Sequence, residues 1–306
     1  PGTVPGVRWH SPSVSRMAHN RRCGEFARFG VRVVTGQTEH DAFFVPLGRN
    51  AAGNEVFATT ERTVSLWAPT MQHGAPPSAL LLRALERVGA RADVRVSRVV
   101  VELLGPVPIA EIEVRSWVER PGRNIELVIA ELWEHSGNTA DRAVARATAW
   151  RLSTVDTAQV AYAADPPLAP VSEASQHVWE GTWKSGYLDN VEIRALGKLG
   201  GPGPGQVWAR ASTALVLGET MTPLERLFAV ADIANGIGAK LDLDEWTFLN
   251  TDLTVHIFRV PESEWVGISA ETSTGPDGFA MSAGVLHDEH GPVGRIAQTV
   301  LVRPRP

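Results

Sequence analysis

The chain repeats itself once. A strand pair, an apolar helical segment and three further strands run from about Glu55 to Leu152 and recur from about Gln206 to Val302. Val56-Phe57-Ala58 answers Val207-Trp208-Ala209. The helical segment ending Leu85-Glu86-Arg87-Val88-Gly89 answers the one ending Ala234-Asn235-Gly236-Ile237-Gly238. Arg98 to Leu103 answers Asp252 to Ile257, and Ala147-Thr148-Ala149 answers Ala297-Gln298-Thr299. A unit this long is no solenoid repeat. Two copies imply a pseudo-symmetric pair, and chemistry then belongs where the copies stop matching.

A length of 306 residues suits two domains. The boundaries read as an N-terminal arm over 1–38, a first copy over 39–153, a linker over 154–176 and a second copy over 177–306. The arm holds Arg8, Arg16, Arg21, Arg22, Arg28 and Arg32 without a lysine. It lacks the apolar stretch of a secretory signal and reads as a disordered extension. The linker is marked by Asp165-Pro166-Pro167-Leu168-Ala169-Pro170, which has no periodicity. Hydrophobic residues at 43% provide for a sizeable core, and a net charge of -5 supplies no basic face for nucleic acid. The single cysteine, Cys23, rules out an internal disulfide and a cysteine-based metal cage. It fits a reducing compartment, and a cytoplasmic location is the expectation. No apolar run is long enough for a membrane span.

Within the first copy, Phe43 to Leu47 and Val56 to Leu66 read as strands. The loop Pro69 to Ser78 carries glycine and two prolines into a helix whose Leu81, Leu82, Leu85 and Val88 stand at helical spacing. Val99–Leu104, Ile109–Glu119 and Ile125–Trp133 show β-branched alternation, and Arg142 to Leu152 closes the copy. One helix against a curved antiparallel sheet, twice over, is an α+β architecture. A helix so wrapped is apolar on nearly every face.

The two helical segments differ in one respect that matters. Leu227 to Ile237 has only two polar side chains, Asp232 and Asn235. An ionised carboxylate inside a buried helix is costly unless paired or hydrogen-bonded. Gly236, four residues on, costs the helix about 1 kcal/mol against alanine but clears space beside the carboxylate. The first copy has Arg83 at the matching place. From the residues alone Asp232 is a catalytic group, a carboxylate on a solvated sliver of the helix, or one half of a core salt bridge. The strand Leu249 to Ile257 adds a polar face of Asn250, Asp252, Thr254 and His256, with Thr251 on the opposite face. Gln298 stands in the last strand where the first copy has Thr148. A turn cap, a strand histidine and an ordinary strand amide account for these singly.

The entry Gln72-His73-Gly74-Ala75-Pro76-Pro77, the run Ala231 to Gly236, and the endings Thr251 to His256 and Ala297 to Arg303 resemble the double hot-dog acyl-CoA thioesterases of the thioesterase II-like group. The likeness spans about Asp41 to Arg303. It implies a tandem hot-dog fold, each copy a curved sheet wrapped round one long helix. It also implies a water-activating set of a helix aspartate, a threonine early in the next strand and a glutamine in the last strand. These fall on Asp232, Asn250 and Gln298, with asparagine replacing the threonine. Ala75 likewise replaces the second of two family glycines. His73, Gly74, Ala75, Phe228, Asn235 and Thr251 are the expected substrate contacts. The backbone N–H groups near Gly74 and Ala75 would face the oxyanion, and the acyl chain would lie beside Phe228 and Ala231. No serine or cysteine nucleophile, metal or cofactor is required. There is no Gly-x-Ser-x-Gly elbow and no metal-ligand spacing among nine histidines. The expected partner is an acyl-CoA, with homo-oligomer formation optional, because two copies already supply the dimer that a single hot-dog needs. A rival on the same fold, an enoyl-CoA hydratase, would use Asp252 and His256. A second rival is a non-catalytic acyl-binding protein.

Overall fold

The computed structural model describes residues 41–135, 142–178 and 186–305. The arm, with Cys23, lies outside them. Among the described residues no helix is long and apolar enough to cross a membrane.

The first half runs β1 (Ala42–Arg49), β2 (Glu55–Thr59), α1 (Ala75–Arg87), β3 (Val94–Leu103), β4 (Glu111–Arg120), β5 (Ile125–Glu134) and β6 (Ala143–Ser153). After β7 (Ser175–His177) and β8 (Val191–Ala195), the second half runs β9 (Gly205–Ala211), β10 (Ala214–Val216), α2 (Pro223–Ala231), α3 (Ala234–Gly238), β11 (Trp246–Asn250), β12 (Asp252–Ile257), β13 (Val266–Thr274), β14 (Phe279–Asp288) and β15 (Gly291–Pro304).

All the strands belong to one sheet, in the order β10-β1-β2-β4-β5-β6-β3-β12-β15-β14-β13-β9-β8-β7, with β11 added on β15. The central part is palindromic. β2-β4-β5-β6-β3 on one side meets β12-β15-β14-β13-β9 on the other. The halves join where β3 and β12 pair antiparallel, Glu102 opposite Asp252 and Arg98 opposite His256.

α1 packs on β4, β5 and β6. Alternation in β6 turns Ala145, Ala147 and Ala149 inward, and all three are buried. Small side chains there let the helix seat closely. Ala75 to Leu85 are buried without exception, and Ser78 and Arg83 are the only polar side chains among them. α2 packs against α1, and α3 against β13 and β14.

Two local departures from the sequence reading shape the site. The single helix expected from Leu227 to Ile237 is broken into α2 and α3 at Asp232 and Ile233. The Gln298 side chain donates to the Asp232 carbonyl oxygen at 3.2 Å. That bond takes an acceptor from the helical ladder, and a side chain inserted into the ladder is a recognised cause of a break. The strand expected from Leu249 to Ile257 is likewise divided at Thr251. Asn250 pairs with Val300, whereas Thr254 pairs with Ala297, a register shift of one residue along β15. The parity of the chain therefore flips. Phe248 and Asn250 share the inner face with Val300 and Val302, while Leu253, Val255 and Ile257 point inward from β12. Asp252, Thr254 and His256 lie on the opposite face, so Asn250 does not share a face with them.

Candidate active site

The segment before α1 is anchored by its backbone. His73 N–H donates to Thr63 O at 2.8 Å, and Gln72 N–H to Val107 O at 2.8 Å. The helix then starts at Ala75 with prolines in its first turn, where no amide hydrogen is missed. Gly74 is the cap and has no side chain to offer the free amides. His73 supplies one acceptor instead, its Nδ1 taking the Ala75 N–H at 3.1 Å. The Ala75 N–H is thus committed, and only the Gly74 N–H remains without a partner among the described residues.

Asp232 lies directly against this helix start. A Cβ placed on Gly74 would come 2.6 Å from Asp232 Oδ2. The carboxylate is 4% exposed. Its Oδ1 accepts from Asn250 Nδ2 at 2.8 Å and from Gln298 Nε2 at 3.1 Å. Its Oδ2 is 3.4 Å from His73 Nδ1. Burial pushes the Asp232 carboxyl up to about 6, against the opposing pull of the two amide donors. Burial pulls the His73 imidazole down to about 3.

His73 is fixed from its other side by Tyr187, a residue that the sequence reading passed over. The two rings stack at 4.0 Å between centroids and 17° between planes. The fully buried tyrosine donates its hydroxyl to Ala229 O at 2.8 Å. Burial, and secondarily the Asp232 charge, push the Tyr187 phenol well above its ordinary value. Tyr187 stands early in the second copy, ahead of β8, where no periodic signal marks it.

A cleft of about 80 Å³ opens beside the carboxylate. That is room for more than one water molecule. His73, Gly74, Asp232, Asn235, Gly236 and Asn250 line it, together with Trp67, Met71, Val107, Phe248 and Leu249. Gln298 holds the carboxylate from behind and does not line the cleft. Of the expected substrate contacts, Ala75, Phe228 and Thr251 are not in its wall. Ala75 and Phe228 are sealed in the core, because the helix break turns Gly236 but not Phe228 toward the opening. Ala231 is sealed in the same way, so the acyl path expected beside Phe228 and Ala231 is closed. Thr251 is exposed at the register shift, its backbone bonded to Thr299 and Leu103. Asp252 and His256 are also outside the cleft. Asp252 Oδ1 accepts the Thr299 N–H at 2.7 Å, and His256 is exposed. They offer no paired acid and base to a substrate there.

The matching place in the first half is closed by charge. Arg83, 2% exposed, donates to Glu219 at 2.7 and 2.8 Å and to Glu55 at 3.1 and 3.2 Å. Among the described residues no group of three or more metal-ligating side chains is gathered.

A model of the acyl-CoA thioesterase N-terminal domain matches residues 63–152, and a model of the acyl-CoA thioesterase C-terminal domain matches residues 165–302. Comparison with curated proteins returns no match. Among solved structures, the chain is similar to a protein assigned as a thioesterase II in Thermobifida fusca YX, at 18% identity and a TM-score of 0.65, covering 85% of this chain and 95% of that one. A conserved protein of unknown function with a hot dog fold from Alicyclobacillus acidocaldarius matches at 14% identity and 0.65, covering 83% and 94%. The acyl-CoA thioesterase II TesB2 of Mycobacterium marinum matches at 14% identity and 0.60, covering 87% and 97%.

Proposed function

The chain belongs to the thioesterase II-like hot-dog proteins, and from that premise we propose that it hydrolyses acyl-CoA thioesters with a water activated by Asp232. The observation that carries this reading is a buried carboxylate in the wall of a cleft with room for water, with one oxygen tied to two amide donors and the other left without a hydrogen-bond donor among the described residues. We read the molecule as two hot-dog copies, over 39–153 and 177–306, with one competent site. The palindromic strand order and the replacement of Asp232 by Arg83 in the first half support that reading.

In the proposed mechanism Asn250 and Gln298 hold Oδ1, which leaves Oδ2 to accept a hydrogen from the attacking water. Asn250 also lines the cleft, so its own carbonyl oxygen is available to orient that water. The water oxygen bonds to the thioester carbon as its proton passes to Asp232. The carbonyl electron pair moves onto oxygen, where the Gly74 N–H and the start of α1 meet the charge. One such donor is worth about 10²–10³ in rate. Collapse of the intermediate breaks the carbon–sulfur bond, and the departing thiolate takes the proton back from Asp232. A carboxyl poised at about 6 suits this exchange, being ionised at neutral pH yet basic enough to hold the proton in transit. His73, neutral and clamped by Tyr187, keeps the helix entry in place. The products are a carboxylic acid and free coenzyme A.

The test is thiol release from a series of acyl-CoA substrates by the purified chain and by Asp232→Asn. Release by the native chain and its loss in the variant support the reading. Equal release by both removes Asp232 from the chemistry. Tight acyl-CoA binding with no release by either shows a binding protein instead.

A further inference from the structure

Behind the cleft, past Asn235 and Phe248, lies a second compartment whose other walls are Ala239, Leu241, Ala280, Val300 and Val302. Asn235 and Phe248 border both spaces. The compartment has no room for a water molecule. Its lining is apolar except for two residues, Asn235 and Thr272.

Both carry a buried polar atom without a partner, Asn235 Oδ1 and Thr272 Oγ1. The orientation of the Asn235 amide is set by its other end, because Nδ2 donates to Phe248 O at 3.1 Å. Asn235 is 6% exposed. Thr272 stands on β13 close to the last turn of α3. A Cβ placed on Gly238 would come 2.9 Å from Thr272 Oγ1. Gly238 follows Asn235 by three residues, about one helical turn. Buried polar groups almost always have partners, and an orphan calls for an explanation. Water cannot supply one where it does not fit.

One orphan is an acceptor, and the other is a hydroxyl that can donate. A hydroxyl group on a ligand complements both, donating to Asn235 Oδ1 and accepting from Thr272 Oγ1. The apolar walls fit a hydrocarbon chain, and the shared border with the cleft places that chain on the acyl side of Asp232. We propose that this compartment is the acyl subsite, opened when the chain enters between Phe248 and α3. On that reading Asn235 and Thr272 select an acyl thioester that carries a hydroxyl on its chain. This rests on the hydrolase reading for the chemistry, but not for the binding.

The experiment compares octanoyl-CoA with its monohydroxylated isomers, substituted from the third carbon outward, on the native chain and on Thr272→Val. At least one hydroxylated isomer is expected to exceed octanoyl-CoA in kcat/KM by about tenfold or more, since a site built for a hydroxyl discriminates against an analogue lacking it. Thr272→Val removes the hydroxyl at nearly constant shape. It is expected to abolish the preference, bringing the hydroxylated isomer to the octanoyl-CoA level in kcat/KM. Octanoyl-CoA matching or exceeding every isomer overturns the proposal, as does a preference that survives Thr272→Val. Calorimetric binding of the same panel separates the two readings. A hydroxyl preference in Kd with no turnover of any substrate sinks the hydrolase reading and keeps this one. Equal Kd across the panel sinks this one.

Discussion

His73 Nδ1 lies 3.4 Å from Asp232 Oδ2, and the two do not form an ion pair. The lone pair on Nδ1 already accepts the Ala75 N–H. Burial holds the imidazole far below the range in which it would carry charge near neutrality, while it pushes the carboxyl up. Between about 3 and about 6 both groups are therefore neutral, and a proton on Oδ2 faces Nδ1. Above about 6 a bare carboxylate oxygen faces a neutral ring. The geometry keeps Oδ2 without a strong partner at the pH where a base is needed.

The pH dependence of turnover follows from that state. The active form is the ionised carboxylate, so kcat/KM is expected to rise about tenfold per pH unit below a midpoint near 6 and to level above it. His73 adds no second inflection in that range, because it titrates near 3. Asp232→Asn is expected to lower the plateau by about 10²–10⁴. A log(kcat/KM) profile on one acyl-CoA checks this, and a flat profile through about pH 6 would exclude Asp232 as the base.

The same burial costs stability. Asp232 has its carboxyl raised from 3.8 to about 6 in the folded chain. A raised value means that the folded state holds the proton after the unfolded state has released it. The group's contribution is therefore fully present below about 4 and is lost as pH rises through about 6. The loss corresponds to about 3 kcal/mol at neutral pH. In Asp232→Asn the amide oxygen can still accept from Asn250 and Gln298, and no charge is buried. The variant is expected to melt on the order of 5 °C above the native chain at neutral pH. The difference should fade below about pH 4. Calorimetric melting across pH checks both arms.

Asp232 was legible because it interrupts an apolar helical run, and a polar side chain on a buried face needs a partner. Asn250 and Gln298 were reached through the family likeness, since neither breaks a local pattern. The wider fold was legible because Val56-Phe57-Ala58 and Val207-Trp208-Ala209 fall in β2 and β9, at corresponding places in the strand order. The misplacements share one cause, side chains and register acting across the sheet. The helix break depends on Gln298, 66 residues away, reaching the Asp232 carbonyl. The parity change at Thr251 depends on how β11 and β12 each settle on β15. Neither is written in the local periodicity. Phe228 stays out of the cleft wall for the first reason, and Thr251 for the second.

Asn250 stands where a threonine is implied by the family likeness, and its amide donates to Asp232 at 2.8 Å. That bond opposes the burial that raises the carboxyl. Asn250→Ala is expected to move the kcat/KM midpoint upward from about 6 and to lower the plateau. Asn250→Thr keeps a hydroxyl donor, so its midpoint is expected near that of the native chain and its plateau within about tenfold. If the alanine variant keeps the native midpoint, Asn250 does not act on the carboxylate.

Arg83 is buried between Glu55 and Glu219 and reaches both in forked geometry. Its guanidinium holds Glu219 down at about 2. Arg83→Met removes the shared cation and leaves Glu219 with Arg87 and Glu55 with the more distant Arg49. Both carboxylates are partly open to solvent, which softens the penalty. The variant is expected to lose about 2–4 kcal/mol of stability, with kcat per folded molecule unchanged because the network lies outside the cleft. Denaturant unfolding paired with active-site titration checks the split.

Gly74 has φ -65 and ψ -22, a conformation that alanine adopts freely, so a substitution there is a test of space alone. A Cβ at this position meets Asp232 Oδ2 at 2.6 Å, Cγ at 3.0 Å and Oδ1 at 3.1 Å. The carboxylate is held from the far side by Asn250 and Gln298 and has nowhere to retreat without breaking those bonds. Gly74→Ala is expected to cost about 1–3 kcal/mol by overpacking and to lower kcat by about 10² through the displaced base. Asp232→Ala in the same chain removes the opposing atoms. The stability cost of Gly74→Ala should then largely vanish, a non-additivity that a double-mutant cycle reads directly. Gly201→Ala, whose nearest neighbour would be 3.6 Å away, is the neutral control. Additive costs in the cycle would show that Gly74 is needed for some property other than its contact with the Asp232 carboxylate.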